Sequence, residues 1–198
     1  MLILFFHGSS GISKLTKKYM KFLSNFGTVI CEESKPIFIY KTDAKKYLKN
    51  KKKYEKIYKL VATHRKRQVE ELVNMIKMPV IVVGISEGGI GVTLAKSKYI
   101  KKKIIIGYTG ECNYFTKMKR SPIKMPNTKH LFLVGENDQF FSNKHTSVSS
   151  IVSRNTNTCR VKGRPYPYKN VISYKIRNKK HNVYSTKVKQ FIKNFLFA

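Results

Sequence analysis

The chain has 198 residues, 41% of them hydrophobic and 12% aromatic, which is enough apolar material for one globular domain with a sizeable core. Lysine and arginine number 41 against 10 acidic residues, and the formal net charge of +31 predicts attraction to polyanions or anionic surfaces. No apolar run reaches the roughly 18 residues of a membrane span, and Met1–Phe6 lacks the basic region of a signal peptide. We therefore expect one domain, residues 1–198, that is cytoplasmic or otherwise intracellular, as in a virion.

Short apolar runs alternate with amphipathic segments along the chain. The runs predict buried strands at Leu2–Phe6, Thr28–Cys31, Val80–Val83, Ile104–Gly107, His130–Gly135 and Val171–Ile176, with Pro36–Tyr40 either a strand or an extended loop. Helical spacing of apolar residues predicts helices at Ile12–Phe26, Asp43–Lys77, Ile90–Ala95 and Tyr184–Leu196. Residues 108–128 are interpreted as a loop or small cap, and 139–170 show only weak periodicity. This alternation predicts the α/β class, with a mostly parallel sheet flanked by helices on both faces.

Lysines form three runs, at Lys49–Lys53, Lys101–Lys103 and Lys179–Lys180. The first is interpreted as a solvated face or helix break, with specific anion binding as the alternative, and the second as preceding a strand. Because the runs are far apart, we expect charge spread over the whole surface, with nonspecific binding of nucleic acid or an anionic surface. AT-rich coding would also produce a chain rich in Lys, Asn, Ile and Tyr, and the sequence leaves that alternative open.

The three cysteines, Cys31, Cys112 and Cys159, are an odd number without the spacing of a metal site. They are interpreted as free thiols in a reducing compartment. We expect no metal and no organic cofactor.

The most informative stretch follows the predicted strand at Val80–Val83. Gly84-Ile85-Ser86-Glu87-Gly88 turns sharply from this strand into an apolar helical segment, the pattern of a nucleophile elbow. Glycines flank the serine because side chains at those positions would collide with the strand and the helix. Ser86 would also lie at a helix N-terminus, where free N–H groups favour developing negative charge. The pattern therefore predicts a nucleophilic serine.

An acyl-transfer serine needs a base and a carboxylate that orients the base. Of the two aspartates, Asp43 lies in a charged helical stretch, whereas Asp138 follows a predicted strand, at the edge where open α/β sheets place their sites. His181 lies between the last strand and the last helix, which gives the order Ser86, Asp138, His181. His145 remains the alternative base. The other three histidines are given other roles. His7 is interpreted as shaping a turn, and His64 as lying on a solvated helix. His130 begins a predicted strand, at the edge of the sheet away from the serine.

These segments together resemble a minimal α/β-hydrolase, most similar to short single-domain serine esterases and the dienelactone-hydrolase-like group. The matching segments span nearly the whole chain: His7-Gly8, Gly84–Gly89, Gly135–Asp138 and His181. The resemblance implies that the backbone N–H groups of Glu87 and Ser9, or Ser10 in another loop register, form the oxyanion hole. Two features depart from the family: its first two antiparallel strands are missing, and the segment between acid and histidine is unusually polar and basic.

The sequence thus supports two hypotheses about function. The favoured one is a serine hydrolase that cleaves a small carboxylic ester or thioester through a Ser86–His181–Asp138 triad. The alternative is a catalytically silent protein on the same scaffold, whose basic surface binds nucleic acid or takes part in an assembly such as a virion. The sequence gives neither the acyl chain, the leaving group nor the oligomeric state.

Overall fold

We analysed a computed structural model of the chain, which describes residues 1–33, 51–108, 128–138, 160–161, 164–165 and 170–198. Several sequence-based predictions lie outside these residues. They are the strand or loop at Pro36–Tyr40, the cap at 108–128 apart from its two ends, Asp43, Cys112, His145 and Cys159.

Six parallel strands form one sheet, in the spatial order β2-β1-β3-β4-β5-β8. The six strands are β1 (Leu2–Phe6), β2 (Thr28–Glu32), β3 (Val80–Ile85), β4 (Ile100–Ile106), β5 (Lys129–Gly135) and β8 (Val171–Ile176). Two short strands, β6 (Arg160–Val161) and β7 (Arg164–Pro165), form a separate antiparallel pair. The helices are α1 (Lys14–Leu23), α2 (Lys51–Ile76), α3 (Glu87–Leu94) and α4 (Thr186–Phe197). The predicted α/β class is therefore confirmed, with a main sheet that is wholly parallel.

The sheet is apolar on both faces because helices cover both. Alternate residues of β1 show this division: Leu4 packs in one core cluster, and Ile3 and Phe5 pack in the other. The first cluster includes residues of α2 and α3, and the second includes residues of α1 and α4. The central strands β1 and β3 therefore carry continuous apolar runs, the signal by which the sequence predicted them.

Strand β4 is longer than predicted, since it begins at Ile100 rather than Ile104. The run Lys101–Lys103 therefore lies inside the strand and does not precede it. Lys103 is completely buried, Lys102 is half-buried, and only Lys101 is exposed. The interpretation of this run as a cluster of surface charge is wrong, because the strand directs two of the three side chains into the packed faces of the sheet.

All six parallel strands end at the same edge, which we call the carboxyl edge. His7, Ser86 and Asp138 follow β1, β3 and β5 at this edge, and His181 follows β8 by five residues. The opposite edge, which we call the amino edge, carries the start of β4 and the C-terminal ends of α3 and α4.

Candidate active site

Ser86 lies on a strained turn between β3 and α3. Its backbone φ of 54° is in the left-handed region that non-glycine residues rarely adopt. The turn is tight: a Cβ atom on Gly84 would lie 2.5 Å from the carbonyl oxygen of Gly88, and one on Gly88 would overlap the carbonyl oxygen of Phe6. Glycine is therefore required on both sides of Ser86, as the sequence pattern predicted.

Asp138 and His181 lie together at the carboxyl edge. The Nδ1 atom of His181 is 2.8 Å from Oδ2 of Asp138. The Asp138 side chain is fully buried, whereas that of His181 is 20% exposed. The segment before His181 packs on the turn that presents Asp138, since the N–H of Asn137 donates to the carbonyl oxygen of Lys179. The contact between Nδ1 and a carboxylate fixes the orientation of the imidazole ring.

The end of β4 lies next to both the serine and the histidine. The N–H of Ser86 donates to the carbonyl oxygen of Ile106 at 2.7 Å. A Cβ atom on Gly107 would lie 3.1 Å from Cε1 of the His181 ring. The peptide joining Ile106 to Gly107 therefore lies next to both the backbone of the elbow and the imidazole ring at the carboxyl edge.

The loop after β1 lies against the nucleophile elbow. A Cβ atom on Gly8 would be 3.0 Å from Cβ and 3.6 Å from Oγ of Ser86. The loop is folded back on itself by a bond from the N–H of Gly11 to the carbonyl oxygen of Gly8. His7 is buried, and its Nδ1 is 2.7 Å from the carbonyl oxygen of Gly8. Ser9, predicted as an oxyanion donor, is half-buried at the outer end of this loop.

Glu87, the residue after the serine, carries a side chain that points into the protein. Its carboxylate is fully buried and accepts from Nε of Arg65 at 2.7 Å, with Nη2 of Arg65 2.6 Å away. Burial raises the pKa of Glu87, and the neighbouring Arg65 charge and hydrogen bond partly offset this effect. The backbone N–H of Glu87 belongs to the first turn of α3, in the position predicted for an oxyanion donor.

Comparison with known proteins finds relatives by structure. No family model matches the sequence, and no curated protein sequence matches it. The mouse α/β hydrolase domain-containing protein 10 is 14% identical, with a TM-score of 0.59 over 99% of this chain and 89% of its own. E-2-(acetamidomethylene)succinate hydrolase is 16% identical, with a TM-score of 0.58 over 100% of this chain and 91% of its own. TT1662 from Thermus thermophilus is 14% identical, with a TM-score of 0.56.

These likenesses extend over essentially the whole chain. The protein has the α/β-hydrolase fold. The strand that the His7-Gly8 loop follows, β1, lies second in the sheet, between β2 and β3. Strand β2 forms one edge of the sheet.

Arg65 is a buried residue beside the elbow that the sequence-based prediction missed. Arg65 in fact falls in register with the apolar stripe of Val61 and Val69, at spacings of four residues, and is 2% exposed. A cation in the middle of an apolar helical stripe indicates a buried partner. That signal was present in the sequence.

The remaining histidines with described positions agree with their predicted environments. His64 is exposed on α2, and His130 is buried near the start of β5 at the amino edge. Among the described residues, no group of three His, Cys, Asp or Glu side chains could hold a metal ion. No helix within the described ranges is long and apolar enough to cross a membrane.

Proposed function

We propose that the protein is a serine hydrolase that cleaves a carboxylic ester or thioester. Ser86 is the nucleophile, His181 the general base and then the general acid, and Asp138 the carboxylate that orients the imidazole. The observation that carries the proposal is the 2.8 Å contact between His181 and Asp138 at the edge of the sheet where Ser86 sits on a strained elbow.

The first half of the reaction forms an acyl-enzyme. Oγ of Ser86 attacks the acyl carbonyl carbon while Nε2 of His181 takes the hydroxyl proton. The carbonyl oxygen becomes an oxyanion, which accepts hydrogen bonds from the N–H groups of Glu87 and Ser9. Each such donor is worth about 2.7–4 kcal/mol in the transition state. The intermediate collapses when His181 returns the proton to the leaving alcohol or thiol.

The second half repeats these steps with water. His181 removes a proton from a water molecule, and the resulting nucleophile attacks the acyl carbonyl bonded to Ser86. Collapse of the second intermediate releases the carboxylic acid and returns the proton to Oγ of Ser86. Asp138 remains ionised throughout and stabilises the imidazolium that forms in each half.

The strained backbone at Ser86 supports a catalytic rather than a purely structural elbow. A non-glycine residue at positive φ costs on the order of 1–2 kcal/mol. A scaffold protein without activity could accept glycine at this position and recover that energy. The buried Asp138 carboxylate beside the elbow also lies 2.8 Å from His181, as a carboxylate that orients a general base must.

An activity-based fluorophosphonate probe tests the proposal, since it reacts only with an activated serine. We expect the wild-type protein to be labelled, and Ser86→Ala to lose both labelling and turnover of a short-chain activated ester while keeping its thermal unfolding temperature. Ser24→Ala removes an exposed serine that bonds locally to the carbonyl of Lys21, and it should remain labelled. Turnover by Ser86→Ala at the wild-type rate would remove the nucleophile assignment. Failure of the wild type on every ester tried would favour the silent scaffold.

A further inference from the structure

Helices α1 and α4 lie side by side over the same face of the sheet. The rings of Tyr19 and Tyr184 meet edge to face with centroids 4.8 Å apart, and Phe26 contacts Phe197 at 5.8 Å. The hydroxyl of Tyr184 also donates to the carbonyl oxygen of Lys18. The outward surfaces of the two helices therefore form one continuous surface, which we call the α1/α4 face.

Every charged residue of these two helices is a lysine. Helix α1 has no acidic residue among its ten, and helix α4 has none among its twelve. Six of the seven lysines are exposed and Lys189 is half-buried; the seven are Lys14, Lys17, Lys18, Lys21, Lys187, Lys189 and Lys193. None of them forms an ion pair with another described residue.

Helix α2, on the opposite face of the sheet, differs because two of its surface basic residues are paired with glutamates of the same helix. Lys66 pairs with Glu70, and Arg67 pairs with Glu71, each at a spacing of four residues. We expected charge spread over the whole surface, and among the described residues exposed lysines do occur on both faces of the sheet. The α1/α4 face differs from α2 because none of its lysines is paired with a described carboxylate.

The basic surface continues around the N-terminal end of α4. A cavity of about 350 Å³ opens there, between the end of β8 and the first turns of the helix. Arg177, Lys179 and Lys187 line it, together with the stacked rings of Tyr174 and Phe191, whose centroids are 3.7 Å apart. Lys175 also lines the cavity and has the weak ion pair to Glu136, at 3.7 Å.

We propose that the α1/α4 face binds the phosphodiester backbone of nucleic acid without sequence preference. Its charge complements a polyphosphate, and lysines act as mobile point charges that contact phosphates rather than reading bases. On α4 the exposed residues between the lysines are polar, namely Thr186, Gln190 and Asn194, and on α1 every exposed residue is a lysine. The large apolar side chains of the two helices are buried or half-buried, except Phe197 at the end of α4. Insertion into a membrane or burial in a protein interface requires apolar side chains that this face does not present.

Seven uncompensated lysines also predict how the binding depends on salt. Each phosphate neutralised on duplex DNA releases condensed counterions and adds about −0.9 to the slope of log affinity against log salt. Engagement of most of the face gives a slope of about −3 to −6. Ester turnover is independent of this surface, because the α1/α4 face includes none of the proposed catalytic residues.

The test compares two triple variants of the full chain that lose the same charge. Lys17→Gln, Lys21→Gln and Lys193→Gln together neutralise exposed positions on the α1/α4 face, whereas Lys59→Gln, Lys77→Gln and Lys98→Gln neutralise exposed lysines elsewhere. Fluorescence anisotropy with a labelled mixed-sequence DNA duplex measures affinity over a salt series. We expect the first variant to lose about tenfold or more in affinity and to have a shallower slope, and the second to change by less than about threefold.

Three results would overturn the proposal. Equal losses in the two variants would assign binding to net charge rather than to this face. Stronger binding to phosphatidylserine-rich vesicles than to the duplex, at matched lipid and nucleotide phosphate, would assign the face to a membrane. Absence of duplex binding at low salt would show that the α1/α4 face does not bind nucleic acid. Fluorophosphonate labelling of the same preparations reports independently on the catalytic proposal.

Discussion

The two edges of the parallel sheet use buried charge in different ways. At the carboxyl edge, the Asp138 carboxylate is buried against a partly exposed His181, and Ser86 is held on strained backbone. At the amino edge, the Nζ atom of Lys103 is fully buried and donates to the carbonyl oxygens of Ala95 at 2.5 Å and Thr93 at 3.1 Å. The first arrangement brings a carboxylate, a histidine and a serine to one edge of the sheet, whereas the second donates hydrogen bonds to the carbonyls at the end of a helix.

Helix α3 connects the two edges, and a buried ionisable side chain binds each end of it. Glu87 in its first turn is paired with Arg65, and the carbonyls at its C-terminal end accept from Lys103. A cation is favourable there because the last carbonyls of a helix carry partial negative charge and have no partners within the helix. Lys102, on the other face of β4, does the same for α4 through the carbonyls of Phe195 and Leu196. Lysines at the amino edge therefore fix the C-terminal ends of α3 and α4. Helix α3 begins directly after Ser86, so the same contacts also support the elbow at the carboxyl edge.

The largest expected effect separates the catalytic role of the carboxyl edge from a structural one. His181→Ala and Asp138→Asn should each lower kcat for ester hydrolysis by on the order of 10³-fold or more, because each disables the same base. The double variant should be about as slow as either single variant. Steady-state kinetics on an activated ester measure all three. Full activity of His181→Ala together with inactivity of His145→Ala would require a different base.

The second prediction concerns the anchor of α3 at the carboxyl edge. Arg65→Met leaves the buried Glu87 carboxylate without its cation and should lower the free energy of unfolding by about 3–5 kcal/mol. Because the pKa of Glu87 in the folded protein is already raised by burial, the deficit should shrink as pH falls and the carboxyl takes up a proton. Chemical denaturation over a pH series measures this.

A matched variant separates the ion pair from simple loss of volume. Combining Arg65→Met with Glu87→Met replaces both charges by apolar side chains of similar size and should restore most of the lost stability. Arg67→Met removes the partner of an exposed pair, Arg67–Glu71, and should change stability by less than about 1 kcal/mol. If Arg65→Met were no more destabilising than Arg67→Met, the buried Arg65–Glu87 pair would not stabilise the position of α3.

The contrast between the edges also explains what the sequence could predict. Strand β3 and the elbow are encoded locally, since an apolar run followed by Gly84, Ser86 and Gly88 permits few other conformations. The position of Asp138 followed from the rule that loops after parallel strands meet at one edge. The environment of Lys103 could not be inferred in this way, because its acceptors are carbonyls of a preceding helix that only the tertiary fold brings within reach.

The smallest expected effect tests the amino edge through pH. Burial, the largest cause, lowers the pKa of Lys103 to about 7 from its ordinary 10.5, while nearby Glu70 partly opposes the shift and Lys96 adds to it. Between these two pH values the unfolded chain keeps a proton that the folded protein has lost. The contribution of Lys103 to the free energy of unfolding therefore rises with pH across this window, by about 1 kcal/mol per pH unit. A neutral amine still has two N–H groups for its two carbonyl acceptors, so the cap survives the loss of charge.

Lys103→Met removes the titrating group. Comparison with the wild type cancels the pH-dependent contributions of the lysines that both proteins share. We expect the difference in free energy of unfolding, wild type minus variant, to increase from pH 7 towards pH 10 in chemical denaturation. Lys101→Met changes an exposed side chain of the same strand and serves as the matched control. A pH-independent difference for Lys103→Met would mean that this lysine keeps its proton in the folded protein. The amino edge would then hold a buried cation, stabilised by the helix carbonyls alone, instead of an amine that loses its charge near neutral pH.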